Sequence, residues 1–336
     1  MGIDLLDAVT LSVTYKARGS LELPIYPGNL WRGVLGAALR RICCSLPDME
    51  CRHCYLRNDC IYCLCYGINP DVKIQGRTPP RPFVLHLPWN SATLRLEPGQ
   101  QLGFSITLFG ETLISRLPYL AEAFHLLGER GLGKRRVPLE MVTVSPRPAQ
   151  PVIHLQAGTR SPKTALMGKP EAAKESGPGE VHPQDLEVYC ITPLILEHHD
   201  KRLDRGLPLA ELVRASWRRK RDLLAAFGRC RDHESWPCPD NGEQWIALAD
   251  TVAITSDETF WQDLVRFSSR ERRRQSQSGL RGRVAYRDVP PELVAWLRDA
   301  TLLHLGKGTA MGLGAMAMRT GNTWLVPPCW ESVNDR

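Results

Sequence analysis

The chain has 336 residues, with 43 Lys and Arg against 36 Asp and Glu, a net charge of +7, and 43% hydrophobic residues. That apolar share supports a sizeable core and excludes a globally disordered chain, and the length allows one large or two ordinary domains. No apolar run approaches the ~20 residues of a membrane span, and Met1 to Leu6 has neither the basic nor the apolar region of a secretion signal, so a cytoplasmic protein with no membrane partner is expected.

In chain order, Leu11 to Tyr15 alternates apolar and polar residues and reads as a strand. After a Gly- and Pro-containing loop, residues 31, 34, 35, 38, 39 and 42 are apolar, which predicts an amphipathic helix over Leu30–Ile42 with Asn29 as its N-cap. Seven of the eleven cysteines follow within 23 residues: Cys43, Cys44, Cys51, Cys54, Cys60, Cys63 and Cys65. The spacing Cys51-x2-Cys54-x5-Cys60-x2-Cys63 is that of a thiolate metal site, which a reducing compartment favours over disulfides. Zinc suits a small loop-rich insertion of this kind, and an iron–sulfur cluster would use the same ligands.

Further strands are expected at Pro82–Trp89 and Leu102–Phe109, a helix at Pro118–Leu127, and a strand at Met141–Val144 after the loop Gly128 to Arg136. Residues 157–185 are rich in Gly, Pro, Ser, Lys and Glu and read as a linker or mobile loop. Beyond it come a strand at Leu186–Leu196, a helix at Leu209–Phe227, a strand at Trp245–Ile254 and a helix near Pro291–Leu303. Both halves run strand, helix, strands, helix and then a glycine-and-lysine loop, a weak symmetry that suggests two related α+β units.

Two arginine runs stand in the second half. Arg266, Arg270, Arg272, Arg273, Arg274, Arg281, Arg283 and Arg287 fall within 22 residues against Glu271 as the one acid, and Arg214 to Arg221 holds four consecutive cations. Arginine's planar fork suits phosphates and base edges, so nucleic acid is the expected partner. The segment Gly306-Lys307-Gly308 to Gly312-Leu313-Gly314 lacks the glycine spacing of both the nucleotide-triphosphate loop and the dinucleotide fingerprint. With the arginines upstream it reads as a loop facing a polyanion backbone, whose N–H groups and Lys307 would meet phosphate. His304, set in an apolar stretch, reads as a satisfied core histidine.

Four stretches together resemble the CRISPR-associated RAMP-superfamily endoribonucleases that process precursor CRISPR RNA, in the form with a cysteine-rich insertion after the first helix. They are Leu23 to Gly36, the cysteine block, Gly128 to Arg136, and Phe267 to Gly282 leading into His304 to Gly314. The resemblance implies an α+β chain of two tandem ferredoxin-like (RRM-like) domains: 1–155 with a metal-binding insertion at 43–66, a linker at 156–185, and 186–336. It implies CRISPR repeat RNA as substrate, other effector-complex subunits as partners, and metal-independent attack of a 2′-hydroxyl on the adjacent phosphate, with the product retained. Under it, Cys44, Cys51, Cys54 and Cys60 would hold a structural zinc. Arg270, Arg272, Arg273, Arg274, Arg281, Arg283, Gly306, Lys307, Gly308, Gly312 and Gly314 would hold RNA.

Many members of that family place a histidine in or near the loop before the first helix, and residues 15–42 here contain none. Arg18, Tyr26 and Arg32 are the candidates that remain for the chemistry. Arginine can stabilise a phosphorane but is a poor base, so slow cleavage is expected. A non-catalytic RNA-binding subunit is the alternative.

Overall fold

A computed structural model describes residues 6–67, 73–74, 76–89, 93–146, 184–198, 201–228, 242–268 and 273–326. The chain divides into two compact units. The first is Met1–Ile153 with Asp222–Glu234 and Ala310–Gly312; the second is His154–Arg221 with Ser235–Thr309 and Leu313–Arg336. All but the last two residues of the expected linker at 156–185 lie outside the described residues.

The first unit runs β1 (Ala8–Ala17), β2 (Leu21–Leu23), α1 (Gly28–Cys43), α2 (Ile61–Tyr66), β3 (Phe83–His86), β4 (Leu94–Leu96), β5 (Gln101–Phe109), α3 (Glu111–Ile114), α4 (Leu117–Arg130) and β6 (Leu139–Pro146). Its main sheet has the order β3-β5-β1-β6, with β1 antiparallel to both neighbours. Alternation in β1 buries Leu11, Val13, Tyr15 and Ala17 in one core with Trp31, Leu35, Ala38 and Leu39 of α1 and Leu120, Phe124 and Leu127 of α4. The helix starts at Gly28, before the expected residue 30, and Pro27 rather than Asn29 takes the N-cap position. Proline has no N–H to leave unpaired there, and its carbonyl accepts the Trp31 N–H at 3.0 Å.

The second unit repeats the plan with β7 (Gln184–Leu194), β8 (Glu197–His198), β9 (Lys201–Arg202), α5 (Leu209–Phe227), α6 (Gly242–Asp250), β10 (Ile254–Gln262), β11 (Val265–Ser268), β12 (Arg273–Ser276), β13 (Gly279–Val289), α7 (Pro291–Leu303), β14 (Met316–Thr320) and β15 (Thr323–Val326). Its sheet order is β10-β13-β7-β14-β15, the order of the first unit with one edge strand added. Two βαββαβ units with antiparallel sheets and helices packed against the core are tandem ferredoxin-like α+β domains.

One local reading changes, and one segment left without a reading takes shape. Residues 245–250 are helical, because Ile246 and Ala249, three apart, are buried on one side while Trp245 stacks on Trp296 with ring centroids 5.8 Å apart. The strand expected there begins only at Ile254. The arginine segment is a β-hairpin: β11 and β12 pair Val265↔Ser276 to Ser268↔Arg273, just past the last β10–β13 pair, Gln262↔Gly279. A hydrogen bond from the Leu264 N–H to Ser278 Oγ (3.0 Å) stitches the joint.

Lys220 of α5 is buried under α7. Its Nζ lies 3.7 Å from the Trp296 ring centroid, 3.7 Å from an Asp299 carboxylate oxygen and 3.3 Å from the Trp296 carbonyl. Burial pushes its pKa down from 10.5 to about 8, against the opposing pull of Asp299. Below pH 8 folded and unfolded chains are both charged and the burial penalty stands in full. Between about 8 and 10.5 the folded chain binds fewer protons, so stability rises with pH. Urea unfolding should therefore show wild type gaining up to ~3 kcal/mol on Lys220→Met over that window; parallel pH profiles would contradict it.

Candidate nucleic-acid interface

Alternation along the central strand β7 sends Leu186, Val188 and Cys190 into the core of the second unit. Glu187 and Tyr189 therefore point to the opposite, outer face of the sheet. Cross-strand register sets Tyr189 beside Arg283 of β13 and Ala317 of β14, and Glu187 beside Arg319. Glu187 accepts hydrogen bonds from Arg283 Nη1 (2.5 Å), Arg319 Nε (2.6 Å) and Tyr189 Oη (3.0 Å). Burial pulls its carboxyl up, but these donors outweigh it and hold the pKa below the usual carboxylate range. Arg283 is also gripped by Glu258 of β10, and the two carboxylates raise its pKa further. The Arg319 guanidinium lies 5.6 Å from the Tyr189 ring and 5.7 Å from the Trp324 ring. Phe260, 50% exposed on β10, completes a face with arginine forks, aromatic rings and a low floor of Ile191, Ala315 and Ala317. Such a mixture binds phosphates and unpaired bases.

The expected RNA-binding arginines distribute unevenly. Arg270 and Arg272 lie outside the described residues, and Arg273 and Arg274 sit on β12, with Arg274 exposed. Arg281 is half-buried, its Nε donating to the Ile191 carbonyl at 3.0 Å and Nη1 to Gln262 at 3.4 Å; burial lowers its pKa. Arg281 and Arg283 therefore belong to the outer face, while Arg273 and Arg274 ride on the hairpin. Sequence reading missed Glu187, Glu258, Tyr189, Arg319 and Trp324. The signal available was the alternation of Glu187 and Tyr189 with Val188 and Cys190.

The glycine loop is built differently from an open cradle. A Cβ on Gly314 would stand 1.8 Å from the Leu305 carbonyl oxygen, and one on Gly306 would stand 2.2 Å from that of Ile195. Both also have positive φ, at 73° and 77°. Gly308 is packed on Leu313, and Gly312, which counts with the first unit, on Tyr26 Oη and the Leu85 carbonyl. The N–H groups of Lys307, Leu313 and Gly314 donate to the carbonyls of Ile195, Gly308 and Pro193, so these three are committed inside the fold. Lys307 itself is exposed and holds Glu197 at 2.6 Å. His304 is 1% exposed, and its Nδ1 is 3.2 Å from the Leu313 carbonyl.

Arg18, Tyr26 and Arg32 are each held by a partner of their own. Arg18 is exposed beside Glu140 at 3.7 Å. Tyr26 is buried, stacks on Trp89 with centroids 5.4 Å apart, and donates its hydroxyl proton to the Met311 carbonyl. The Arg32 guanidinium lies 4.9 Å over the Tyr66 ring. His86 is buried on β3 with Nε2 2.7 Å from Thr107 Oγ1.

In the cysteine segment, Cys63 lies within side-chain hydrogen-bond reach of Cys51 and Cys60, and burial with these neighbours raises its pKa. Cys44 instead accepts from Arg40. Among the described residues no group of three or more His, Cys, Asp or Glu is arranged to hold a metal ion. Cys44, Cys51, Cys54 and Cys60 are all free and half-buried.

Residues 188–316 match the family of CRISPR-associated endoribonuclease Cas6, and residues 6–164 match a family described as an N-terminal domain. An uncharacterized protein of Archaeoglobus fulgidus is 31% identical over 113 residues, and the match spans 33% of this chain and 37% of that relative. A Cas6 product complex of Thermus thermophilus is similar at TM-score 0.51 and 13% identity, with 93% of this chain and 100% of that one covered. A partial Cas6-RT-Cas1–Cas2 complex is similar at TM-score 0.51 and 12% identity, covering 95% of this chain and 47% of that one. At such identities the two structures share the fold.

Gly314→Ala should destabilise the protein by at least ~3 kcal/mol, combining a backbone clash with a left-handed conformation. Gly321→Ala, where a Cβ meets nothing within 4 Å, should cost only ~1 kcal/mol. Urea unfolding of the two variants checks this, and equal losses would contradict it.

Proposed function

Taking as premise that the chain is a RAMP-superfamily protein of the CRISPR repeat-processing kind, we propose that it binds CRISPR repeat RNA and cleaves it to mature guide RNA, keeping the product. The observation that carries this is the outer face of the second unit, where Arg281, Arg283 and Arg319 stand among Tyr189, Trp324 and Phe260; Tyr189, Phe260, Arg281 and Arg283 fall within the stretch matching the endoribonuclease family, and Arg319 and Trp324 lie just past it. RNA phosphates would exchange for the carboxylates of Glu187 and Glu258, and the hairpin β11–β12 would lay its arginines along the stem. A-form RNA is read largely by backbone and shape, and unpaired bases stack on rings and guanidinium planes.

Cleavage calls for attack of a 2′-hydroxyl on the adjacent phosphorus, release of the 5′-oxygen, and support for a phosphorane dianion. The exposed Arg18 and the half-exposed Arg32 can supply charge to that dianion. Tyr26 must first release the Met311 carbonyl before its hydroxyl can move a proton, so its present role is to hold Ala310–Gly312. Without a nearby base of suitable pKa, cleavage is slow. The same observations favour the second reading, an RNA-binding effector subunit without nuclease activity, because Tyr26 is committed and His86 and His304 are buried.

For the cysteine segment we propose a structural zinc held by Cys51, Cys54, Cys60 and Cys63, the set given by spacing, since Cys63 sits beside Cys51 and Cys60. Zinc there would fix the insertion and take no part in the cleavage steps. Purified protein should hold about one zinc per chain by elemental analysis. Cys63→Ser should lose it and Cys44→Ser should keep it; the reverse order would contradict the assignment.

Labelled repeat RNA incubated with the protein in EDTA should give a fragment ending in a 2′,3′-cyclic phosphate, with an unchanged thermal unfolding curve confirming that chelation leaves the fold intact. Tight binding without cleavage would replace the nuclease reading with the effector-subunit one. Arg18→Ala with Arg32→Ala should slow cleavage by about tenfold or more, the scale of a lost charge on a transition state.

A further inference from the structure

The first unit carries a cation–aromatic column of its own. Helix α1 contains Arg32, Arg40 and Arg41 and no Asp or Glu, and α2 contains no charged residue. Tyr62 and Tyr66 stand one turn apart on α2 with rings nearly parallel, 9° between planes and 5.5 Å between centroids. The Arg32 guanidinium covers the Tyr66 ring at 4.9 Å, and that of Arg40 lies 5.8 Å from the Tyr62 ring. The order along the column is therefore Arg32, Tyr66, Tyr62, Arg40.

Its two ends differ. The Tyr66 hydroxyl donates to the Arg32 carbonyl at 3.1 Å, which ties α2 to α1. Arg40 is exposed and is braced by the Pro47 carbonyl at 2.8 Å, so its plane is fixed without a carboxylate partner in that bond. Arg41 beside it is exposed, and Tyr55 of the same insertion is 73% exposed. On the insertion side the first acid in sequence after these cations is Asp48, and the next, Glu50, is matched by Arg52 at 2.5 Å.

We propose that this α1–α2 face is a second RNA contact, specific for unpaired nucleotides flanking the repeat stem. A base stacks on the exposed end of the column, on the Arg40 guanidinium that Tyr62 backs, and Arg41 meets the adjoining phosphate. Guanidinium and phenol planes in alternation present π-faces and positive charge together, which suits bases of any identity. A paired stem offers no free base face, so the contact selects single strands. An acidic protein segment would use the arginines but not the parallel rings, which is why RNA is the better fit. The inference rests on the reading of the chain as an RNA-binding protein.

The test compares two RNAs by fluorescence anisotropy: the repeat hairpin alone, and the hairpin with single-stranded extensions of about eight nucleotides at both ends. Wild type should bind the extended RNA more tightly. Tyr62→Leu and Arg41→Gln should each weaken binding of the extended RNA by about fivefold or more and leave the bare hairpin unchanged. Tyr55→Ala, at a position too exposed to carry the fold, should weaken the extended RNA in the same selective way. Equal losses on both RNAs, or none on either, would overturn the proposal. So would unchanged RNA binding accompanied by loss of another CRISPR subunit on co-purification, which would make the face a protein contact. Wild type that binds neither RNA would instead refute the RNA-binding reading itself.

Discussion

Glu187 sits in the central strand of the second sheet with its carboxylate accepting from Arg283, Arg319 and Tyr189, and the outer face is arranged around that one group. Without it, two guanidiniums on the strands that flank β7 would face each other across that strand with no anion between them. With it, they are held with their planes toward the aromatic rings of Tyr189 and Trp324 in the case of Arg319, and toward Glu258 in the case of Arg283. The face thus carries its own temporary anions. On the proposed reading an RNA backbone would replace like with like, and arginines already ordered would lose less freedom on binding.

The glycine loop is packed closely into the fold. Gly306 and Gly314 let the backbone pass against the carbonyls of Ile195 and Leu305, and several N–H groups are committed to those neighbours. The loop's one lysine, Lys307, is already balanced by Glu197, whose carboxyl is held below its usual range first by the hydrogen bond from Lys307. The loop is a packing device that carries one exchangeable cation, and the arginines of the sheet carry the larger share of positive charge.

Much of the scaffold was legible from residue order. The α5 span Leu209–Phe227 and the α7 span Pro291–Leu303 follow from apolar spacing and a helix-starting proline, and the alternation of β1 and β7 follows from period two. Residues 245–250 were misread because a short apolar run cannot tell strand from helix until its neighbours, here Trp296, are known. The hairpin β11–β12 left little to read, since the alternation of Val265 and Phe267 with Arg266 and Ser268 spans only four residues and β12 holds only arginine, glutamine and serine. The Glu187 cluster needs the pairing of β7 with β13 and β14, a long-range fact that no local pattern contains. Likewise the spacing of the cysteines gave a candidate set, but only the side chains show Cys44 turned to Arg40 and Cys63 turned to Cys51 and Cys60.

The claim that matters most is that RNA phosphate takes the place of the Glu187 carboxylate on the outer sheet face. It is tested most directly by the salt dependence of repeat-RNA affinity for Glu187→Gln and Arg283→Gln beside wild type. Glu187→Gln should bind more tightly, because one anion fewer then has to be displaced, Glu258 remaining on Arg283. Arg283→Gln should bind more weakly, with the slope of log affinity against log salt shallower by about one. Affinities and slopes equal to wild type in both variants would contradict the account.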